Sequence, residues 1–230
     1  MPLVSCIIPV FNSERYVAEA IMSVLRQSHQ ELEILVIDDG SSDRTPEIVQ
    51  SFGPPVHYDR QENAGGPAAR NRGLDLMRGE FVAFLDADDR WDGDKLARQL
   101  ARFAERPELD CCLSKVRLFW SDGLEVEEAY YRRHGKTETD GLVNSTMLVR
   151  RRLFEQVGRF DTTLLHSATI NWFARARALG AVEETLDDVL TERRMHAGNL
   201  SRRERGASQD ELLRLVKRRL DIARSNRNNQ

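Results

Sequence analysis

The chain has 230 residues, of which 40% are hydrophobic and 31% are charged, and its formal net charge is -3. This length allows one large domain with a substantial core, and the composition excludes disordered and collagen-like proteins. The slightly negative charge argues against a dedicated nucleic-acid-binding protein, because such proteins carry a clear basic excess.

The cysteines and the hydropathy of the chain predict a cytoplasmic protein. Cys6, Cys111 and Cys112 form neither a C-x-x-C pair nor an even set of bridges, so we expect buried, reduced thiols. No run of 18 apolar residues is present, and the first strand-like segment follows Met1 without a basic leader. We therefore expect no membrane-spanning segment.

The first half of the sequence alternates β-rich runs with helical patterns, which is typical of βαβ units. This alternation predicts an α/β fold with a mostly parallel central sheet flanked by helices. The predicted strands span residues 4–10, 32–38, 56–59 and 81–85. The predicted helices span residues 13–26, 45–52, 67–77 and 94–105.

The second half of the sequence is less regular. Strands are predicted at residues 111–120, 145–149 and 189–194, and helices at 151–157 and 170–179. The polar stretch from Glu127 to Asp140 is expected to be a mobile or partly disordered loop. The chain ends in a basic amphipathic helix whose apolar face is predicted to contain Leu212, Val216, Leu220 and Ala223.

Acidic residues follow two of the predicted strands. Asp38 ends the second strand and Asp39 follows it, and the sequence Asp86-Ala87-Asp88-Asp89 follows the fourth. Ligands of parallel α/β sheets bind beyond the carboxyl ends of the strands, so we expect these clusters to meet at one edge. A divalent cation bound together with phosphates would relieve the repulsion within the second cluster. A solvated acidic turn that caps the next helix is the alternative.

The pair Asp38-Asp39 enters a Gly-Ser-Ser turn, where a carboxylate can accept hydrogen bonds from a base or a ribose. The alternative role for this pair is to stabilise the turn and to cap the next helix.

A glycine-rich segment, N-A-G-G-P-A-A-R-N from residue 63 to 71, leads into the third predicted helix. Small residues permit close approach to the backbone, and the start of a helix favours anions. The segment matches neither G-x-G-x-x-G nor the P-loop, so a dinucleotide or ATP site has no support. Arg70 is placed either to reach a phosphate or to pair with an acidic residue.

Four segments in order across residues 4–89 resemble the family 2 glycosyltransferases: V-S-C-I-I-P-V-F-N, E-I-L-V-I-D-D-G-S-S-D, N-A-G-G-P-A-A-R-N-R-G and G-E-F-V-A-F-L-D-A-D-D. The resemblance implies a nucleotide-diphospho-sugar transferase (GT-A type) fold over residues 1–200. Its nucleotide-binding half would be 1–106 and its acceptor-side half 107–200, followed by a basic helical tail over 201–230. The implied reaction is inverting transfer from a UDP-sugar to an unknown carbohydrate, lipid-linked or peptide acceptor, with Mg²⁺ or Mn²⁺ as cofactor.

The same resemblance implies the site residues. The nucleotide-binding residues would be Pro9, Phe11, Asn12, Asp38, Asp39, Gly65, Arg70, Asp86 and Ala87. The metal ligands would be Asp88, Asp86 and His196. His196 comes from the segment R-R-M-H-A-G-N-L-S, residues 193–201, and a structural hydrogen-bonding role is its alternative.

The sequence departs from the family pattern where an acidic pair usually supplies the general base. Ala168 and Thr169 occupy those positions here. Neither side chain accepts a proton near neutral pH, and loss of general-base catalysis lowers a rate by about 10² to 10⁴. His166 is the candidate substitute base. A catalytically weak or inactive homologue that binds a nucleotide, a nucleotide-sugar or a partner protein is the alternative function.

The basic C-terminal helix indicates three kinds of partner: anionic lipid at the inner face of the membrane, an acidic protein, or the same helix of a second subunit. A solvated helix packed on its own chain is the alternative. Nucleotidyl transfer on a related fold has little support, because no basic glycine-rich loop follows the first strand.

Overall fold

The computed structural model describes residues 1–121 and 123–228, including the side chains except those of 201, 205 and 218–228. Its strands are β1 (Val4–Val10), β2 (Leu32–Asp38), β3 (Val56–Arg60), β4 (Phe81–Phe84), β5 (Arg90–Trp91), β6 (Cys111–Trp120), β7 (Glu138–Asp140), β8 (Leu148–Arg150) and β9 (Glu183–Met195). Its helices are α1 (Val17–Leu25), α2 (Thr45–Gln50), α3 (Gly66–Leu76), α4 (Lys95–Glu105), α5 (Glu125–Arg133), α6 (Arg151–Val157), α7 (Ala168–Ala178), α8 (Leu200–Arg203) and α9 (Arg205–Asn228).

The strands form one sheet in the order β3-β2-β1-β4-β8-β6-β9-β5, with β7 beside β6. The first four strands are parallel: β1 lies between β2 and β4, and β3 lies beyond β2. The β8 strand joins β4 and β6 in antiparallel fashion, so the sheet as a whole is mixed. The predicted α/β fold class is confirmed, and the alternating pattern correctly indicated the parallel pairing of β1 to β4, whereas the parallel pair of β6 and β9 lies outside that pattern.

Helices cover both faces of the sheet, which explains why β1, β2 and β4 are buried along nearly their whole length and mostly apolar rather than alternating. Ile8 of β1 packs in one core cluster with residues of α1 and α4, whereas Ile7 packs in the other with residues of α3 and α7. Both isoleucines are fully buried. The parallel strands are therefore fixed in register from both sides.

Helix α3 lies close to β1 at Gly73. A Cβ atom at this position would stand 2.5 Å from Cγ2 of Ile7, so only glycine permits the approach. This contact brings the glycine-rich start of α3 to the carboxyl ends of the strands.

The expectation of a mobile loop from Glu127 to Asp140 was wrong. These residues contribute to α5 and form β7, which pairs with β6. The first turn of α5 contains Glu125, Glu127 and Glu128, and its last turn is basic, so the charges complement the helix dipole. Arg132 also pairs with Glu128 at i,i+4 spacing. The spacing of the charges, rather than the polar composition, predicts this helix.

Several boundaries differ from the sequence prediction. Helix α1 begins at Val17 rather than near Ser13, whose backbone N–H donates instead to Oγ1 of Thr45 at 2.8 Å. Residues 144–146 form a 3₁₀ turn, so β8 begins later than predicted. The short strand β5 was not predicted, and β9 is twice as long as expected because it pairs with β6 along most of its length.

The predicted apolar face of the C-terminal helix is partly exposed. Leu215 is buried, whereas Leu212 and Val216 are 37% and 46% exposed. The side chains of Leu220 and Ala223 lie outside the described residues. In the part of the chain that the structure describes, no helix has both the length and the apolar composition needed to cross a bilayer. The three cysteines are buried and free, as predicted.

Candidate functional site

The register of the parallel strands aligns the ends of β1, β2 and β4 at one edge of the sheet. Asp38 at the end of β2 lies opposite Val10 of β1. The backbone N–H of Asp39 donates to the carbonyl of Val10 at 2.8 Å. Leu85, which precedes the acidic cluster, donates to Ile7 of β1 at 3.1 Å. The two predicted acidic clusters therefore lie at the same edge of the sheet, beyond the carboxyl ends of the strands.

Asn12 connects the end of β1 to the turn after β2. Its φ is 47°, a left-handed conformation that asparagine tolerates better than most residues. Its backbone N–H donates to Oγ of Ser41, and its Oδ1 accepts from the backbone N–H of Ser42. The neighbouring Phe11 is half-exposed at this edge, and Pro9 lies within β1. An apolar ring thus lies beside a polar turn.

The two carboxylates after β2 have different partners. Asp38 is fully buried; its Oδ1 accepts from the backbone of Ser41, and its Oδ2 accepts from the hydroxyl of Tyr58 at 2.6 Å. Burial, followed by the hydrogen bond and the charge of Asp38, raises the pKa of Tyr58 to about 12. Asp38 therefore stabilises the turn and β3, the alternative role that the sequence left open.

Asp39 instead holds the glycine-rich segment. Its Oδ1 accepts from the backbone N–H of Ala64, and its Oδ2 accepts from that of Gly65, both at 2.8 Å. Gly65 has a φ of 89°, which favours glycine. This contact fixes the segment beside the strand ends.

Arg70 of α3 joins the glycine-rich segment to the acidic cluster. Its Nη2 donates to Oδ1 of Asp86 at 2.7 Å, and its side chain is 13% exposed. A Cβ at Gly66 would lie 3.2 Å from Nη1 of Arg70. Among the described residues, the buried Nε of Arg70 has no hydrogen-bond partner. A mostly buried guanidinium with unused donor capacity is suited to an anionic ligand.

The acidic cluster is anchored through Ser145. The backbone of Asp86 donates to Oγ of Ser145, which donates in turn to Oδ2 of Asp89 at 2.9 Å. Burial, strengthened by the charges of Asp88 and Asp86, raises the pKa of Asp89. Asp89 and the buried Ala87 therefore face inward, which leaves Asp86 and Asp88 towards the site.

Asp88 contacts the segment that follows β9. Nε2 of His196 lies 2.9 Å from Oδ2 of Asp88, and Nδ2 of Asn199 donates to the same oxygen at 3.0 Å. The ring of Tyr16 lies 4.9 Å from the ring of His196. The structure thus brings His196 to Asp88, whereas Asp86 is paired with Arg70.

The three predicted metal ligands do not form a closed protein site. Across the described ranges, no group of three His, Cys, Asp or Glu side chains has metal-binding geometry. Magnesium and manganese at nucleotide sites need only one or two carboxylates, because phosphates and water complete the coordination. The carboxylate of Asp88 and the imidazole of His196 would serve as the protein ligands of such a cation.

Arg194 is a site residue that the sequence prediction missed. Its backbone N–H donates to Oδ1 of Asp89, and its Nε donates to the carbonyl of Asp88, each at 3.0 Å. It also pairs with Glu19. Burial favours a raised pKa for Glu19, but hydrogen bonds from Arg90 and Arg194 lower it below its ordinary value. The sequence feature that could have identified Arg194 is the basic pair Arg193-Arg194, which lies in the same segment as His196.

The start of α7 contains no carboxylate of its own. Ala168 is buried, and Oγ1 of Thr169 donates to Oδ1 of Asn144 at 2.8 Å. The side chain of His166 is 8% exposed, and its Nε2 lies 3.1 Å from Oε2 of Glu204. A Cβ at Gly65 would stand 2.8 Å from Cδ2 of Leu165, so this loop lies against the glycine-rich segment.

Comparison with known proteins gives one family for this chain. The model of Glycosyl transferase family 2 matches residues 5–158. TuaG of Bacillus subtilis (strain 168), a glycosyltransferase assigned to teichuronic acid biosynthesis, is 36% identical over 70% of this chain and 66% of its own length. An uncharacterized glycosyltransferase of Rickettsia typhi is 31% identical over 85% of this chain and 64% of its own length.

A solved structure has a similar fold. The crystal structure of S. aureus TarS 1-349 in complex with UDP superposes with a TM-score of 0.66 at 27% identity, covering 84% of this chain and 60% of that one. This chain therefore spans slightly less than two thirds of the length of these relatives.

Proposed function

Because the chain belongs to Glycosyl transferase family 2, we propose that it transfers a sugar from a UDP-sugar to an acceptor hydroxyl, with inversion at the anomeric carbon. One observation carries the proposal: the continuous path from Asp39 through Gly65 to Arg70 and Asp86. This path lines the carboxyl ends of the parallel strands, where nucleotides bind in such sheets.

The donor lies along this path in our proposal. Phe11, Asn12 and Asp39 receive the uridine, and Pro9 and Asp38 hold those residues in place. Gly65 permits close backbone approach, and the exposed part of the Arg70 guanidinium, which already holds Asp86, meets the diphosphate. Asp86 and Ala87 form the end of the nucleotide site. The UDP bound to TarS supports the choice of base.

The cofactor of the proposed reaction is Mg²⁺ or Mn²⁺, held by Asp88 and His196 with a contribution from Asp86. A bound cation neutralises charge on the departing diphosphate. Asn199 and Arg194 keep Asp88 in place through hydrogen bonds to its Oδ2 and its carbonyl.

His166 accepts the proton in the proposed reaction. The acceptor oxygen forms a bond to the anomeric carbon from the face opposite the diphosphate, and the carbon–oxygen bond to the diphosphate breaks. The bonding electrons leave with the nucleoside diphosphate, and the acceptor proton passes to His166. Displacement from the opposite face inverts the configuration.

Residues 1–106 act as the donor half and residues 107–200 as the acceptor half, and the acceptor is a carbohydrate, a lipid-linked group or a peptide. We propose a cytoplasmic location.

Exposed Leu213 and Val216 on α9, with Arg214 and Lys217 beside them, support contact with the inner membrane face or with a second subunit.

A binding protein without transfer activity is the second candidate function. It is favoured by Ala168 and Thr169, which cannot replace a carboxylate base. The donor site described above does not depend on these two residues, so nucleotide binding can persist where transfer does not.

Turnover assays separate the two functions. UDP-glucose, UDP-galactose and UDP-N-acetylglucosamine are each incubated with the protein and Mn²⁺, and released UDP is measured beside thermal shifts with UDP alone. We expect UDP release from one of the three donors and a higher melting temperature with UDP. Thermal stabilisation without UDP release would favour the binding protein. The absence of both stabilisation and release would contradict both functions.

A further inference from the structure

The acidic residues of the C-terminal helices reach back to the start of α7. We propose that Glu204 and Glu211 complete the acceptor side of the site: Glu204 orients His166 as the proton acceptor, and Glu211 holds the loop on which His166 lies. The inference rests on the proposed sugar transfer and adds two positioning residues to it.

Glu211 holds the loop before α7 from a distant part of the chain. Its Oε1 accepts from the backbone N–H groups of His166 and Ser167 at 2.9 and 2.6 Å, and its Oε2 accepts from that of Leu165 at 3.0 Å. The residue before α7, Ser167, makes no side-chain cap. A carboxylate at this position satisfies the N–H groups of the loop and lies near the positive end of the helix dipole.

The contacts of Glu211 assign it a positioning role rather than that of a proton acceptor. Three backbone N–H groups already occupy its two oxygens. These bonds fix the backbone at His166, so the direction of the imidazole depends on Glu211.

Glu204, in the turn between α8 and α9, contacts the imidazole itself. Its Oε2 lies 3.1 Å from Nε2 of His166. A carboxylate at one ring nitrogen selects the tautomer that carries its proton there and stabilises the charged ring that forms on protonation. Nδ1 of His166 is then the atom that takes the acceptor proton.

The loop held by Glu211 touches the donor side of the site. Leu165 packs against Gly65, whose backbone is bound to Asp39. His166 is the next residue along, so the loop that carries the imidazole lies against the glycine-rich segment, while the imidazole itself contacts Glu204.

The C-terminal segment is attached at a third point. Arg202 of α8 donates to Oε1 of Glu127 on α5 at 2.5 Å. Residues 202–227 contain nine basic and four acidic residues, and two of those acidic residues make the contacts with the loop before α7. The basic tail is therefore a structural part of the acceptor side.

Chemical rescue in the full chain tests the role of Glu204. The substrate is whichever of the three UDP-sugars the wild type turns over, and the readouts are kcat, donor KM and the Kd for UDP. We expect Glu204→Ala to lower kcat at least about tenfold with donor KM and UDP affinity unchanged, and added formate to restore part of the rate. His166→Ala should lower kcat about 10² to 10⁴-fold and respond to imidazole.

A second pair of variants tests Glu211. Glu211→Gln keeps one carbonyl oxygen and removes the charge, and we expect a lower kcat with unchanged UDP affinity. Asp210→Asn is the matched control, because Asp210 is an exposed neighbour on the same helix, and it should leave kcat unchanged.

The outcomes distinguish this inference from the proposed function. Wild-type turnover with an unchanged kcat in Glu204→Ala and Glu211→Gln would overturn the inference and leave sugar transfer intact. A loss of kcat in Glu204→Ala accompanied by an equal loss of UDP affinity, without rescue by formate, would also overturn it. UDP binding without wild-type turnover would overturn both.

Discussion

Nε2 of His196 lies 2.9 Å from Oδ2 of Asp88, although the two residues are 108 positions apart. Asp88 follows β4, and His196 follows β9, and the strands β8 and β6 lie between these two in the sheet. The contact closes the acidic end of the proposed donor site. It also joins the two residues that we propose as ligands of the cation.

Replacing Asp88 tests the proposed metal site. We expect Asp88→Asn to abolish the Mn²⁺ dependence of UDP binding, because the carboxylate that faces His196 loses its charge. The measurement is calorimetric titration with UDP in the presence of Mn²⁺ and in the presence of a chelator. Asp94→Asn removes the same charge at an exposed position before α4 and should retain the dependence. A Kd that is equal in Asp88→Asn and wild type would contradict the metal site.

Arg70 provides the second test of donor binding. Arg70→Lys keeps the charge but removes Nε and the planar fork, so we expect UDP affinity to fall about tenfold or more. Arg72→Lys is the control, because Arg72 lies on the same helix and pairs with Asp59 outside the site. Equal affinities for the two variants, measured by titration, would show that Arg70 does not meet the diphosphate.

The approach of α3 to β1 predicts a stability effect. We expect Gly73→Ala to lower the free energy of unfolding by about 1 to 3 kcal/mol, because the new methyl group would overlap Ile7. Urea denaturation measures the change. Adding Ile7→Val should recover part of the loss, since it removes the Cδ1 methyl group near the new Cβ. Gly206→Ala, where no atom lies within 4 Å of the added Cβ, should not destabilise the chain.

Lys95 predicts how stability depends on pH. It is fully buried, its Nζ donates to Gln99 at 2.8 Å, and it lies over the ring of Trp91. Burial lowers the pKa of Lys95 from 10.5 to about 7, despite the opposing effect of nearby thiols. Between these two values the unfolded chain binds a proton that the folded chain has lost, so raising the pH favours folding. Below pH 7 the full penalty of burying the charge remains.

The variant Lys95→Met removes this titration. We expect the unfolding free energy of wild type, relative to that of Lys95→Met, to rise by up to about 1.4 kcal/mol per pH unit between pH 7.5 and 9.5. Denaturant titrations at several pH values give this slope. The loss of the hydrogen bond to Gln99 in Lys95→Met lowers the unfolding free energy by the same amount at each pH, so it does not change the slope. Lys136→Met, at an exposed site, should show no such slope. A flat difference for Lys95→Met would mean that Lys95 stays charged in the fold.

The strands and strand ends of the proposed donor half could be predicted from the sequence, because the patterns that specify them are local. The apolar runs around Ile7 and Ile37 mark strands that are buried on both faces, and the residues directly after them must lie at the strand ends. Asp39 and Asp88 could therefore be assigned to one edge before any coordinates. The sequence also revealed that Ala168 and Thr169 are not acidic.

Tertiary structure decided which of these side chains have partners. Packing across the sheet paired Asp86 with Arg70 and placed the hydroxyl of Tyr58 against Asp38. It also placed Glu204, in the turn before the C-terminal helix, beside His166. Hydrophobic periodicity specifies which face of an element is buried, but it contains no information on the distant element that covers it. Contacts between residues far apart in the chain arise only when the elements pack together, so Glu211 at the start of α7 could not be predicted from the sequence.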